Sequence, residues 1–133
     1  MTKDDWLELT VLERKKYNYL VEIEDLTRQL AETLDRNDQV SARMLLAMRQ
    51  DPIRLLAEVD RGSKIRRSAL PEEDCLRVET LLKAGEGPGN DGERVFLEQA
   101  GKTRRLLEQV VEMDRRVSLR MAGENSFYKS KKP

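Results

Sequence analysis

The stretch KDDWLELTVLERKKYNYLVEIEDLTRQLAETLDR, residues 3–36, decides the fold. Within it Leu9, Leu12, Lys16, Tyr19, Ile23, Leu26, Leu30 and Thr33 recur at alternating steps of three and four, the 3.5-residue repeat of a coiled-coil seam. Leu20 and Leu34 widen that seam, which favours burial against more than one neighbour. Thr2, with Asp5 three residues on, has the pattern of a capping box, so a helix is predicted from Lys3 to about Arg36. At 1.5 Å per residue such a helix is roughly 50 Å long. In a chain of 133 residues the remaining helices must then lie along it. The fold class predicted is all-α, an antiparallel bundle of about four helices whose long first and last members are coiled-coil-like.

Working outward, Asn37 and Asp38 interrupt the repeat and offer a cap for a second helix with apolar positions Met44, Leu45, Met48, Leu55, Leu56 and Val59. The tight turn pairs the two helices antiparallel. Pro52 removes a backbone hydrogen bond in this stretch, and Asp51 offers a fresh cap, so a kink or brief break is predicted there. Gly62 is a plausible stop, although the pattern also allows continuation to about Ser68. A third helix opens at Leu70-Pro71-Glu72, with Cys75, Leu76, Val78, Leu81 and Leu82 as its buried side and Gly85 as its end. The glycine-dense run from Gly85 to Gly92 reads as a linker. It lacks the Gly-Lys-Ser/Thr ending and the preceding strand of a phosphate loop.

The last helix is predicted from about Asp91 to about Ala122, its seam formed by Phe96, Ala100, Thr103, Leu107, Val110, Asp114, Val117 and Met121. Gly101 inside it costs up to about 1 kcal/mol relative to alanine unless a partner backbone approaches closely. Gly123 is the predicted end cap. The division is therefore a helical bundle over residues 1–124 and a mobile basic and aromatic tail over 125–133.

Composition removes several functions. Lys plus Arg and Asp plus Glu each number 25, so no net field draws in nucleic acid or an anionic membrane. There is no histidine, hence no usual general base and no Ser-His or Cys-His nucleophile. Cys75 has no cysteine to pair with, and no apolar run is long enough for a signal peptide or a membrane span, which predicts a cytoplasmic protein. Glu22, Glu24, Asp25 and Glu32 fall on polar faces, and a bundle di-metal site needs Glu-x-x-His pairs that cannot exist here. The reading is of a non-enzyme without metal or cofactor.

Candidate binding features remain. Asp114 interrupts an apolar stripe: either Met113 takes the core position and leaves Asp114 at a solvated edge, or Asp114 is a polar device that fixes register or contacts a partner, its carboxylate pairing with Lys16 across the bundle. Met44, Met48, Met113 and Met121 are either core or a pliable groove for a partner helix. Phe127 and Tyr128 either fold back on the bundle or present a peptide-like anchor, with the following lysines steering toward an acidic surface. The doublets Arg66-Arg67, Arg104-Arg105 and Arg115-Arg116 lie among acidic residues and read as solvated faces. Trp6 reads as an end plug of the core, and Cys75 as a small buried apolar residue.

A long first helix, a turn at Arg36-Asn-Asp38, a second helix bearing Met44-Leu-Leu-Ala-Met-Arg-Gln50, a short third helix, a glycine-rich loop and a last helix with Leu106-Leu-Glu-Gln-Val-Val-Glu-Met-Asp114 together resemble the flagellar export chaperones of the FlgN and FliT type. That resemblance implies a cytosolic chaperone that binds an amphipathic helix of a flagellar or type III secretion substrate, keeps it soluble and delivers it to the export gate. It implies a substrate groove on the last helix through Leu107, Val110, Val117 and Met121, and an export-gate contact at Tyr128. The alternative is a structural coiled-coil protein that homodimerises through its exposed seams. Neither reading involves nucleic acid or stable membrane insertion.

Overall fold

The computed structural model describes residues 1–83 and 87–131, with side chains described as far as Gly123. The described residues form four helices: α1 (Lys3–Asp35), α2 (Gln39–Ser68), α3 (Glu72–Leu82) and α4 (Asp91–Lys131). The chain is an all-α helical bundle, as its seams indicated. Both halves of the predicted capping box start α1, the Asp5 N–H donating to the Thr2 hydroxyl at 3.1 Å and the Thr2 N–H donating to the Asp5 carboxylate at 2.8 Å.

The turn after α1 is a Schellman motif. Asn37 sits at φ 56°, a left-handed conformation that asparagine tolerates. The Asn37 and Asp38 N–H groups donate back to the Leu34 and Thr33 carbonyls at 3.2 and 2.9 Å. The Asp38 carboxylate then accepts the Ser41 N–H and caps α2. That hydrogen bond, with Arg36 nearby, holds the Asp38 carboxyl below its ordinary range.

Helix α2 returns antiparallel along α1, as Lys16 facing Asp60 and Glu8 facing Arg66 show. It runs unbroken through Pro52, so the break expected there is absent. Pro52 is buried in line with Ala42, Leu45, Arg49 and Ser63, where ring packing offsets the missing hydrogen bond. Gly62 does not stop the helix either, and among the described residues no glycine has a positive φ.

Helix α3 packs on the starts of α1 and α4 through Val78 and Leu81, and α4 runs parallel to α1: the Phe96 ring meets that of Trp6 at a 46° tilt, Thr103 bonds to Glu13 and Arg120 reaches Asp35. Of the predicted buried side of α3, Val78 and Leu81 are buried, Cys75 and Leu82 are half-buried, and Leu76 is exposed. Leu76 is two residues from the buried Val78, roughly 200° round the helix, which puts it on the solvent side. Helix α4 continues past Gly123 to Lys131, so the predicted stop is not used. A single interior glycine costs only about 1 kcal/mol, too little to end an established helix. Phe127 and Tyr128 lie in that last stretch, and their side chains fall outside the described residues.

The core is three apolar clusters separated by polar layers. Trp6, Leu9, Val78, Leu81 and Phe96 form the first; Leu20, Ile23, Leu106 and Val110 the second; Leu26, Leu30, Leu34, Ala42, Leu45 and Val117 the third. Between the first two lie Glu13, Lys16, Asp60 and Thr103; near the boundary of the others lie Thr27 and the Arg49–Asp114 pair. Buried Thr10, Thr27 and Thr33 are satisfied locally, donating to the carbonyls of Trp6, Ile23 and Leu30 at 2.6–2.7 Å.

The link from α3 to α4 is fixed by Glu93, which is buried. Its carboxylate accepts from Arg77 Nε and Nη2, each at 2.9 Å, and from the Gly89 N–H, while Asn90 caps the Glu93 N–H. The hydrogen bond from Arg77, outweighing burial and helped by Gly89, holds the Glu93 carboxyl below its ordinary range. A depressed folded pKa contributes stability above the unfolded value and loses it as pH falls through the folded value. Glu93→Gln should therefore cost about 1.5–3 kcal/mol at neutral pH. Urea unfolding of both proteins should show that difference shrinking as pH falls below about 4. A difference independent of pH would assign the loss to shape rather than charge.

Candidate functional site

Helices α2 and α4 both pack along α1 but, among the described residues, their backbones do not meet. Between them lies a trough with α1 as its floor. Its first lobe, about 370 Å³, has Leu20 below, Ile53, Leu56 and Ala57 on the α2 side, and Leu107 on the α4 side. Its second lobe, about 620 Å³, extends toward α3 between Leu81, Leu82, Leu97 and Ala100. Lys16, Thr103 and Leu107 line both lobes, so the two are continuous. Their size and apolar walls suit a ligand or a partner helix face.

The polar groups of the trough come from the layer between the first and second clusters. Lys16 Nζ lies 2.6 Å from Glu13 and 3.6 Å from Asp60. Burial alone raises the Asp60 carboxyl, but Lys64 and Lys16 outweigh it and hold the group below its ordinary range. The Thr103 hydroxyl donates to the Glu13 carbonyl at 3.2 Å and to that of Gln99 at 3.0 Å, tying α4 to α1. These contacts replace the Lys16–Asp114 pair that the sequence suggested: Asp114 accepts instead from Arg49 on α2, at 2.5 Å. The antiparallel return of α2 places Asp60, not α4, opposite Lys16.

The structure brings only some of the predicted binding residues to this surface. Leu107 is 44% exposed and central to the trough, whereas Leu106, at 9%, takes the core position. Val110 and Val117 are buried in the second and third clusters, and Met121 packs half-buried against the third. These three are core, because the 3.6-residue helix turns them toward α1. Asp114 is at the edge, 46% exposed, paired with Arg49. Met44 and Met48 expose half or more of their surface on α2 and line neither lobe. The side chains of Phe127 and Tyr128 are outside the described residues. The predicted residues thus do not form one patch.

Sequence reasoning missed Ile53, Ala57, Arg67 and Arg104 as trough residues. Ile53, Leu56, Ala57 and Asp60 do follow steps of three and four, but Met44 and Met48 drew attention to another face of the same helix. The arginine doublets split in a way no pattern shows. Arg66 holds Asp5 and Glu8, and Arg115 and Arg116 share Glu112, pulling its carboxyl down to about 2. Arg67 and Arg104 line the larger lobe.

No family model, curated protein or solved structure matches the chain. The functional reading therefore rests on the trough and its chemistry. Among the described residues no helix is long and apolar enough to cross a membrane, and no group of three acidic or thiol side chains is placed to hold a metal ion.

Proposed function

We propose that the chain is a helix-binding chaperone. In this reading it takes the amphipathic helix of a flagellar or type III secretion substrate into the trough, keeps that helix soluble, and brings it to an export gate in the cytoplasm. The supporting observation is the open apolar trough between α2 and α4, floored by α1 and centred on Leu107. An amphipathic helix seats its apolar face in such a groove through side chains at i, i+3, i+4 and i+7. Val110 and Val117 are spent on the core, so the client contact falls to Leu107, Ile53 and Leu56 instead. By the resemblance to export chaperones, Tyr128 would meet the gate.

Leu107→Asp tests this directly. Leu107 is half-exposed, so the variant should keep its helical circular dichroism while binding a labelled amphipathic peptide at least tenfold more weakly in anisotropy titrations. Met44→Asp, outside the trough, should bind as the parent does. Equal affinity for all three proteins would rule out the trough as the docking site. A dimer that persists on dilution and takes up no peptide would favour self-pairing through exposed seams.

A further inference from the structure

We infer that the trough selects an amphipathic helix whose polar edge is acidic, with Arg67 and Arg104 taking its carboxylates. The inference rests on the reading of the trough as a helix-docking site and adds the chemistry of the partner. Most cations elsewhere on the bundle that approach its inner surfaces are already matched: Lys16 by Glu13 and Asp60, Arg49 by Asp114, Arg66 by Asp5 and Glu8, Arg77 by Glu93. Arg67 and Arg104 both line the 620 Å³ lobe, and neither has a carboxylate partner among the described residues. The Arg67 Nε–H is buried with no acceptor among them.

A buried guanidinium N–H gains most from a carboxylate, which receives the planar fork in a charge-assisted pair. The one carboxylate that lines the same lobe, Glu13, is held by Lys16 at 2.6 Å. Among the described residues the lobe thus presents three cations against one anion, set between Leu81, Leu82, Leu97 and Leu107. Gly101 also lines this wall, and the Arg105 guanidinium lies over it, 3.3 Å from where a β-carbon would sit. Arg67 comes from α2 and Arg104 from α4, on the two sides of the trough. A helix lying between them would meet one arginine at each edge while its apolar face covers the leucines. Such an arrangement suits a helical peptide better than a nucleic acid, which would need a continuous basic track and stacking aromatics.

The test uses the full chain and three labelled peptides of about 18 residues, each roughly 27 Å long as a helix. All carry one apolar face; the polar edge is glutamate in the first, glutamine in the second and lysine in the third. At about 50 mM salt the glutamate peptide should bind about tenfold more tightly than the glutamine peptide, and the lysine peptide more weakly than both. The advantage should shrink as salt rises. Arg67→Gln with Arg104→Gln should erase the glutamate preference, bringing the affinities of the glutamate and glutamine peptides to within about twofold of each other. Arg43→Gln, exposed elsewhere on α2, should change nothing. Equal binding of glutamate and glutamine peptides would overturn the charge selection and leave helix docking standing. Failure of all three peptides would remove both readings, and tighter binding of a single-stranded oligonucleotide than of any peptide would overturn the partner class.

Discussion

Trp6→Ala should lower the unfolding free energy by about 3–5 kcal/mol, the range for removing a large aromatic from a packed core. Trp6 is 3% exposed, its ring centroid 5.4 Å from that of Phe96, and it packs with Leu9, Val78 and Leu81. A β-carbon added at Gly92 would lie 3.1 Å from it, so the start of α4 also closes directly on the indole. This cluster is the main apolar hold on α3, whose backbone barely approaches α2 or α4. Losing it should release the helix that carries Leu81 and Leu82, two walls of the trough, so peptide binding should fall with stability. Urea unfolding followed by circular dichroism measures the first effect, since the variant lacks the chain's one tryptophan. Hydrogen exchange should show α3 amides losing the most protection. Trp6→Phe should recover much of both. A loss below about 1 kcal/mol would mean that α3 is held by the Arg77–Glu93 pair and not by this cluster.

The helical fold was legible because α1 and α4 carry large apolar residues at steps of three and four, and α1 shows its cap in Thr2 and Asp5. Side-chain placement was legible only in part, for two physical reasons. One is the ambiguity of a seven-residue step: Thr103 to Val110 can be divided at Leu106 or at Leu107, and a strict coiled-coil reading chose Leu107. The structure buries Leu106 and turns Leu107 into the trough. The same step from Val110 to Val117 leaves both Met113 and Asp114 half-buried, so neither takes the core position. The other reason lies in α2, where the positions against α1 are Ala42, Leu45, Arg49, Pro52 and Ser63. Small and charged residues occupy that seam, while Val40, Met44 and Met48 face solvent. Of the large apolar side chains read there from the sequence, Leu45 is buried and Leu55, Leu56 and Val59 are half-buried, but Met44 and Met48 lie on the solvent face. Partners such as Arg49 and Asp114, 65 residues apart, depend on the tertiary arrangement and leave no local signal.

The Arg49–Asp114 pair should behave as a specificity device that is costly to break and dispensable to replace. Arg49 is only 7% exposed and its Nε has no acceptor among the described residues, so its positive charge relies heavily on Asp114. Asp114→Asn leaves that guanidinium facing a neutral amide. Breaking a fully buried pair costs about 3–5 kcal/mol. Asp114 is 46% exposed and water can partly compensate, so about 2–3 kcal/mol is expected. Replacing both members, Arg49→Met with Asp114→Leu, removes the desolvation penalty along with the attraction and should be neutral or stabilising. A double-mutant cycle in urea should give a coupling of at least about 1 kcal/mol. The pair ties α2 directly to α4, the two sides of the trough, yet neither residue lines it. Peptide affinity of the folded double variant should therefore stay within about threefold of the parent. If Asp114→Asn proves harmless, solvent carries the Arg49 charge and the pair is not what holds α2 and α4 in register.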